Sequence, residues 1–458
     1  MTMDKVKDKA FVSTRNACKM CTPLGASIAF KGIEGCVPLI HGSQGCATYI
    51  RRYLISHYKE PVDIASTNFT EESAIFGGEG NLFTALKNVI SQYKPKIISI
   101  ATTCLSETIG DDMKKIISKY LAENSDNPDL PEVIHANTPS FKGTHANGFY
   151  DAVYVMVKHF AGYGKSSETI NLISGFLSPA DLRHLKEIVS DFSLDTILLP
   201  DYSDTLDYEY TGEYEKIPSG GTPVSDLVRT GSSKATVEFG YVLNKIHGKS
   251  ETAGEYLEKT FSVPRFNMGF PLGIKACDEF FSALEKLSGN KTPEKYTKQR
   301  GRLVDAYVDG HKYLFAKKAV VYGEEDLVLA MVAFLEEIGI DTILCASGGH
   351  SGRLEEMIKE KVRPRNEIKV HDNYDFEDIA GYCRDNKPDL LIGNSKGYYI
   401  ARELGIPLVR VGFPIHDRLG GQRIKHIGYE GTQELFDKIV NALIEYTQDH
   451  SPVGYKYM

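Results

Sequence analysis

Lys96-Ile-Ile-Ser-Ile-Ala-Thr-Thr-Cys-Leu-Ser-Glu-Thr-Ile-Gly-Asp-Asp112 is the stretch from which the fold can be read. A β-branched, apolar run passes directly into Thr, Cys, Ser and Gly. Its hydrophobicity is continuous rather than alternating, the mark of a strand buried on both faces in a parallel sheet covered by helices. The pattern recurs in Val37-Pro-Leu-Ile, Thr169-Ile-Asn-Leu-Ile-Ser-Gly, Thr196-Ile-Leu-Leu-Pro, Ala319-Val-Val-Tyr-Gly, Thr342-Ile-Leu-Cys and Asp389-Leu-Leu-Ile-Gly. Amphipathic stretches with helical spacing, such as Ser178 to Val189 and Asp326 to Ile338, lie between these runs. Repeated strand–turn–helix units predict an α/β protein built from doubly wound parallel sheets, Rossmann-like in architecture. Two polar breaks, Gly162-Tyr-Gly-Lys-Ser-Ser-Glu168 and Ser288-Gly-Asn-Lys-Thr-Pro-Glu-Lys-Tyr-Thr-Lys298, divide the chain into three such domains, 1–164, 165–295 and 296–458. The last is expected to open with a helix from about Arg300.

A chain of 458 residues is long enough for this number of domains. Its 53 Lys and Arg against 61 Asp and Glu give a net charge of −8, which lacks the electrostatic footprint of a nucleic-acid binder. No run approaches about 18 consecutive apolar residues, so no transmembrane helix is expected. The first residues, Met1-Thr-Met-Asp-Lys-Val-Lys-Asp-Lys, carry charge and no apolar core, so no secretory signal is visible and a cytoplasmic location is expected.

In that setting eight cysteines read as thiols or metal ligands rather than as a disulfide framework. Four of them, Cys18, Cys21, Cys36 and Cys46, crowd one segment. Val37-Pro-Leu-Ile-His-Gly-Ser-Gln-Gly-Cys46 is a strand running into a Gly-rich turn, with a helix expected from Ala47. This places Cys46 at a helix N-terminus, where free N–H groups and the dipole favour thiolate. Gly42 and Gly45 offer a close backbone approach or a positive-φ turn. Taken alone, a small buried side chain in a strand–helix turn explains this segment better. Cys18-Lys-Met-Cys21 is a CxxC without the second pair that a zinc ribbon needs. The polar residues before it argue against a redox CxxC. Cys104 repeats the arrangement of Cys46 at the end of a second buried strand, on the sheet edge where ligands of open α/β sheets bind. Three cysteines from two strand ends and one N-terminal loop can converge on a soft-metal centre, and the lack of a matching histidine set favours an iron–sulfur cluster over catalytic zinc.

The residues around these cysteines form a longer pattern. Cys21-Thr-Pro-Leu-Gly-Ala, His41-Gly-Ser-Gln-Gly-Cys46, Ser56-His-Tyr-Lys-Glu-Pro, Phe69-Thr-Glu, Phe76-Gly-Gly, Thr102-Thr-Cys-Leu-Ser-Glu-Thr-Ile-Gly-Asp-Asp112 and Asn137-Thr-Pro-Ser140-Phe resemble the nitrogenase component 1 family. So do Gly220-Gly-Thr-Pro223, Arg300-Gly-Arg-Leu-Val-Asp-Ala, Gly393-Asn-Ser-Lys-Gly and Val411-Gly-Phe-Pro-Ile-His-Asp-Arg418, so the resemblance spans nearly the whole chain. It implies a β-type subunit of an α2β2 assembly, served by an ATP-dependent iron protein as reductase. It also implies that Cys21, Cys46 and Cys104 hold an iron–sulfur cluster at the αβ interface, an [8Fe-7S] P-cluster or a [4Fe-4S] cluster. By the same resemblance Ser140 takes the place of a serine that can join the oxidised cluster. The iron–molybdenum cofactor or its precursor is then held mainly by the α-type partner. Cys18 and Cys36 fall outside the ligand positions, and Cys277, Cys345 and Cys383 read as core thiols.

Within the β-type branch, Leu177-Ser-Pro-Ala-Asp-Leu, Ile197-Leu-Leu-Pro-Asp and Phe413-Pro-Ile-His-Asp-Arg-Leu-Gly-Gly-Gln-Arg423 look most like the NifN-type scaffold for cofactor biosynthesis. Retention of all three cysteines points the other way, to a catalytic β subunit of the NifK type that relays electrons. A nitrogenase-like reductase, such as one acting on methylthio-alkanes, is the third alternative. Whether the complex is an enzyme of nitrogen fixation or only a scaffold stays open at this level.

Overall fold

The structure, a computed structural model, describes residues 17–242 and 251–453. The charged segment read above for a secretory signal lies outside them. Three parallel sheets follow one another along the chain. The first has the order β2-β1-β3-β4, from β1 (Cys36–His41), β2 (Ala65–Ser66), β3 (Ile97–Thr102) and β4 (Glu132–Ala136). The second has the order β6-β5-β7-β8, from β5 (Ile170–Ile173), β6 (Thr196–Leu199), β7 (Ala235–Phe239) and β8 (Arg265–Met268). The third has the order β11-β10-β9-β12-β13, from β9 (Lys318–Gly323), β10 (Asp341–Ser347), β11 (Lys369–His371), β12 (Leu390–Gly393) and β13 (Leu408–Arg410). Every residue of β1, β3, β5 and β12 is buried, as the continuous apolar runs require. Among the described residues no helix is long and apolar enough to cross a membrane.

Two expected helix starts are displaced. The helix expected from Ala47 begins at Gln44, with Ser43 as its N-cap, so Cys46 stands inside the first turn. The helix expected near Arg300 runs from Glu294 to Leu314 behind Pro293, whose fixed φ suits a helix start. In both cases the polar residues read as loop are the helix's own first turn. The proposed division at 164/165 falls between the helix His145–Phe160 and β5, and that at 295/296 falls at the start of the helix Glu294–Leu314.

The helix Thr22–Lys31 is buried along its whole length. It lies against the helix His145–Phe160 so closely that a Cβ on Gly25 would overlap the carbonyl oxygen of His145, and one on Gly148 the carbonyl oxygen of Thr22. The domains meet at the start of the helix Glu325–Ile338, where three consecutive carboxylates turn to different neighbours. Glu324 accepts from His145 Nε2 (2.7 Å), Glu325 from the Ser351 hydroxyl (2.6 Å), and Asp326 from the backbone N–H groups of Tyr241 and Val242 (2.7 and 2.8 Å). A cavity of about 30 Å3 at this junction, lined by Tyr150, Phe176 and Phe270 among others, has room for a water or two, and a larger one of about 590 Å3 opens beside it between Tyr241, Phe270 and Asp326. A further tie comes from His57 near the end of the helix Gln44–Tyr58. Its Nδ1 accepts the Ile415 N–H (2.9 Å) and its ring lies edge-on to Phe413.

Two predictions follow from these contacts. Gly25→Ala drives a methyl into backbone that cannot yield, so it should cost at least the roughly 1–3 kcal/mol of ordinary overpacking. Gly301→Ala, on an exposed helix face with nothing within 4 Å, should instead stabilise by about 0.5–1 kcal/mol. Denaturant midpoints of the two variants moving in the same direction would contradict the packing. For His57, burial pushes the imidazole down to about 3 from the ordinary 6.5, so the folded chain holds it neutral while the unfolded chain takes a proton. Stability therefore falls as pH drops through 6.5 towards 3, by up to about 1.4 kcal/mol per pH unit from this group. His57→Asn, which can still accept the Ile415 N–H, should flatten the slope of stability between pH 7 and pH 5; an unchanged slope would contradict a buried neutral imidazole.

Candidate metal centre

In the order β2-β1-β3-β4 the chain winds one way from β1 and the other way from β3, so the crevice between the carboxyl ends of β1 and β3 is the switch point of the sheet. Cys46 follows β1 and Cys104 follows β3. Cys46 is the third residue of the helix Gln44–Tyr58, and Cys104 the first of the helix Cys104–Ile109, which is closed by a capping box between Thr103 and Ser106. Cys21 is the N-cap residue of the helix Thr22–Lys31. All three thiols therefore stand at helix starts, where the helix dipole favours an anion. Cys21 and Cys46 are half-buried and Cys104 is exposed.

The turns carrying these cysteines are tied together. The Thr103 hydroxyl donates to the His41 carbonyl (3.0 Å), and the Gly42 N–H donates to Thr67 Oγ1 (2.9 Å). Gly42 is required for its size: a Cβ there would overlap the Thr103 hydroxyl. Neither Gly42 nor Gly45 has the positive φ that the sequence offered as an alternative. Ser140 sits between the other two parts of the site. Its N–H donates to Cys104 Sγ (3.2 Å), and its hydroxyl accepts the N–H of Thr22, next to Cys21 (3.3 Å). The Ser43 hydroxyl donates to Cys46 Sγ (3.5 Å).

Burial pushes the Cys21 thiol up to about 12; the N–H of Leu24 works against this, and the neighbouring Cys46 and Cys104 add to it. Cys21 thus lies within electrostatic reach of both Cys46 and Cys104. Among the described residues no group of three or more His, Cys, Asp or Glu is placed to hold a single metal ion. Thiols brought in from three separate helix starts suit a polynuclear group, which takes one thiolate per iron, better than a mononuclear one. Binding must also displace the Cys21 proton. The donor set therefore fits an iron–sulfur cluster and does not fit a lone zinc.

The other cysteines stand apart. Cys18 is buried in the core of the third sheet with Val320, Tyr322, Leu344 and Phe376. Cys36 is buried beside the Ser99 hydroxyl (3.1 Å). Cys277, Cys345 and Cys383 are buried core residues. One pair escaped the sequence reading: buried His41 meets Asp111 at 3.0 Å. Burial alone would raise the Asp111 carboxyl, but His41 and the Gly78 N–H hold it below the ordinary carboxylate range. Both residues stood in quoted motifs, yet no spacing rule joins positions so far apart in the chain. Around the exposed Cys104 gather large apolar side chains open to solvent, namely Leu105, Phe141 (64% exposed), Ile75 (74%) and Phe76 (81%), the helix Glu71–Phe76 packing against the helix Cys104–Ile109.

Known proteins share this sequence and fold. Residues 21–444 match the family model described as nitrogenase component 1 type oxidoreductase. The nitrogenase molybdenum-iron protein beta chain of Clostridium pasteurianum is 38% identical over 94% of this chain and 93% of its own length. The nitrogenase iron-molybdenum cofactor biosynthesis protein NifN of Nostoc sp. is 36% identical over 94% and 93%. Among solved structures, a chain of nitrogenase Cp1 at pH 6.5 superposes with a TM-score of 0.91 at 36% identity, covering 99% of this chain and 98% of that one. A chain of nitrogenase Cp1 at pH 5 shares the fold at a TM-score of 0.71 and 15% identity. With residues 21–444 matched by the family model and 94% of its length by such relatives, this protein belongs to the nitrogenase component 1 family, in its β-type branch.

Proposed function

We propose that the protein is the β-type subunit of an α2β2 complex and supplies Cys21, Cys46 and Cys104 to an iron–sulfur cluster shared with an α-type partner. The observation that carries this reading is the convergence of the three thiols and Ser140 at the switch point of the first sheet. The exposed Cys104 and its apolar collar support a partner on this face, since large apolar side chains gathered in one place mark an interaction surface. When bound, the cluster stores electrons and passes them on. The chain's own residues fix the thiols at helix starts, keep Ser140 within a hydrogen bond of Cys104, and shield Cys21 from water.

For the finer assignment we infer an electron-relaying subunit of the NifK type, ahead of the NifN-type scaffold that the sequence resembles most. A scaffold holding a [4Fe-4S] cluster needs only one ligand from this chain, whereas this chain carries all three cysteines and the serine. The NifN-type scaffold is the second reading, supported by Leu177–Leu182 and Phe413–Arg423 and by the NifN relative. An ATP-dependent iron protein is the expected electron donor in either case.

Cys46→Ala in the co-expressed complex should at least halve the bound iron and alter the cluster's EPR signal; unchanged iron and spectra would remove Cys46 from the site. Activity then separates the two readings. With its reductase, the complex should evolve hydrogen or reduce acetylene, and Cys104→Ala should abolish this. An inactive complex that keeps its iron in Cys21→Ala and Cys104→Ala variants would establish the scaffold instead.

A further inference from the structure

Cys46 and Cys104 are positioned within their own sheet by strand–helix turns that bond to each other. Cys21 is held differently. Residues 17–20, immediately before it, run as a strap between the first and third sheets. On the side of the third sheet, Ala17 forms an antiparallel bridge with Asp375, and the Cys18 side chain is sunk into the core. Gly348 approaches the Cys18 carbonyl so closely that a Cβ there would overlap it. The ammonium of Lys396, in the motif Gly393-Asn-Ser-Lys-Gly, donates to the carbonyls of Ala17 (3.0 Å) and Lys19 (3.4 Å). On the side of the first sheet, Met20 accepts from the His145 N–H (3.0 Å) and donates to His145 Nδ1 (3.3 Å).

We propose that Lys396 is a positioning residue for Cys21, clamping the strap 17–20 to the C-terminal domain so that this domain sets where the Cys21 thiol stands relative to Cys46 and Cys104. Only a long side chain with several N–H donors reaches two carbonyls two residues apart, and a lysine meets that need. Metal-binding side chains must be held to within about half an ångström to keep their geometry, so slack in a strap one residue from Cys21 is felt at the thiol. The inference concerns the clamp itself; its consequence for a cluster rests on the function proposed above.

The test uses Lys396→Met, Lys396→Arg and Gly348→Ala, the last pressing a methyl against the Cys18 carbonyl of the strap. In the full-length chain stripped of iron by a chelator, the rate of Cys21 alkylation by iodoacetamide, read by mass spectrometry against Cys46 and Cys104, should rise about threefold or more in Lys396→Met and Gly348→Ala, since a loosened segment opens more often. Lys396→Arg should return most of the protection. In the complex, the same two variants should keep their iron but shift the EPR line shape and midpoint potential of the cluster. Unchanged Cys21 alkylation in both variants overturns the clamp. Faster alkylation with an unaltered cluster signal overturns the positioning role. If Cys21→Ala itself leaves the cluster signal unaltered, the cluster reading fails by that result, and the alkylation rates still decide the clamp.

Discussion

The contact of the helix Thr22–Lys31 with the helix His145–Phe160 is the constraint on which the rest of the site depends. Two backbones can approach to this distance only where both carry glycine, and Gly25 and Gly148 supply one on each side. The contact buries the first helix completely and fixes its N-terminus. Cys21 is thereby brought beside Ser140, and Met20 beside His145, which reaches on to Glu324 at the junction of the domains. A shift of this helix pair would displace Cys21 from the switch-point crevice that holds Cys46 and Cys104.

Two kinds of polar arrangement occupy the interior, and they differ in how complete they are. The junction of Glu324, Glu325 and Asp326 is closed within this chain, each carboxylate being met by a donor. The cysteine site is open. One thiol is exposed, another has its proton held on by burial, and the surrounding apolar side chains face solvent. Large apolar side chains gathered in one exposed place mark an interaction surface, so the open site is where the proposed cluster and partner would complete the chain.

Much of this was legible in the sequence because it depends on local pattern. Continuous apolar runs identify strands such as β3 and β12 that are buried on both faces, and the turn residues after β1 and β3 locate Cys46 and Cys104 at the sheet edge. The helix starts were misplaced where Gln44-Gly45 and Glu294-Lys-Tyr-Thr, polar and unremarkable, form first turns rather than loops. What the sequence could not convey were pairings across long separations. Cys18 and Cys21 read as one CxxC, yet the first is sunk into the third sheet's core while the second borders the first sheet's crevice. His41 with Asp111, His145 with Glu324, and Lys396 with Ala17 join segments that share no periodicity, and only the folded chain brings them together.

The central claim is that one iron–sulfur group occupies the space bounded by Cys21, Cys46 and Cys104. Anomalous diffraction at the iron edge, from crystals of the complex with its α-type partner, tests this most directly. Iron density is expected within bonding distance of all three sulfurs at the interface between the two subunits. Iron density elsewhere in the complex, with none bonded to these three thiols, would contradict it.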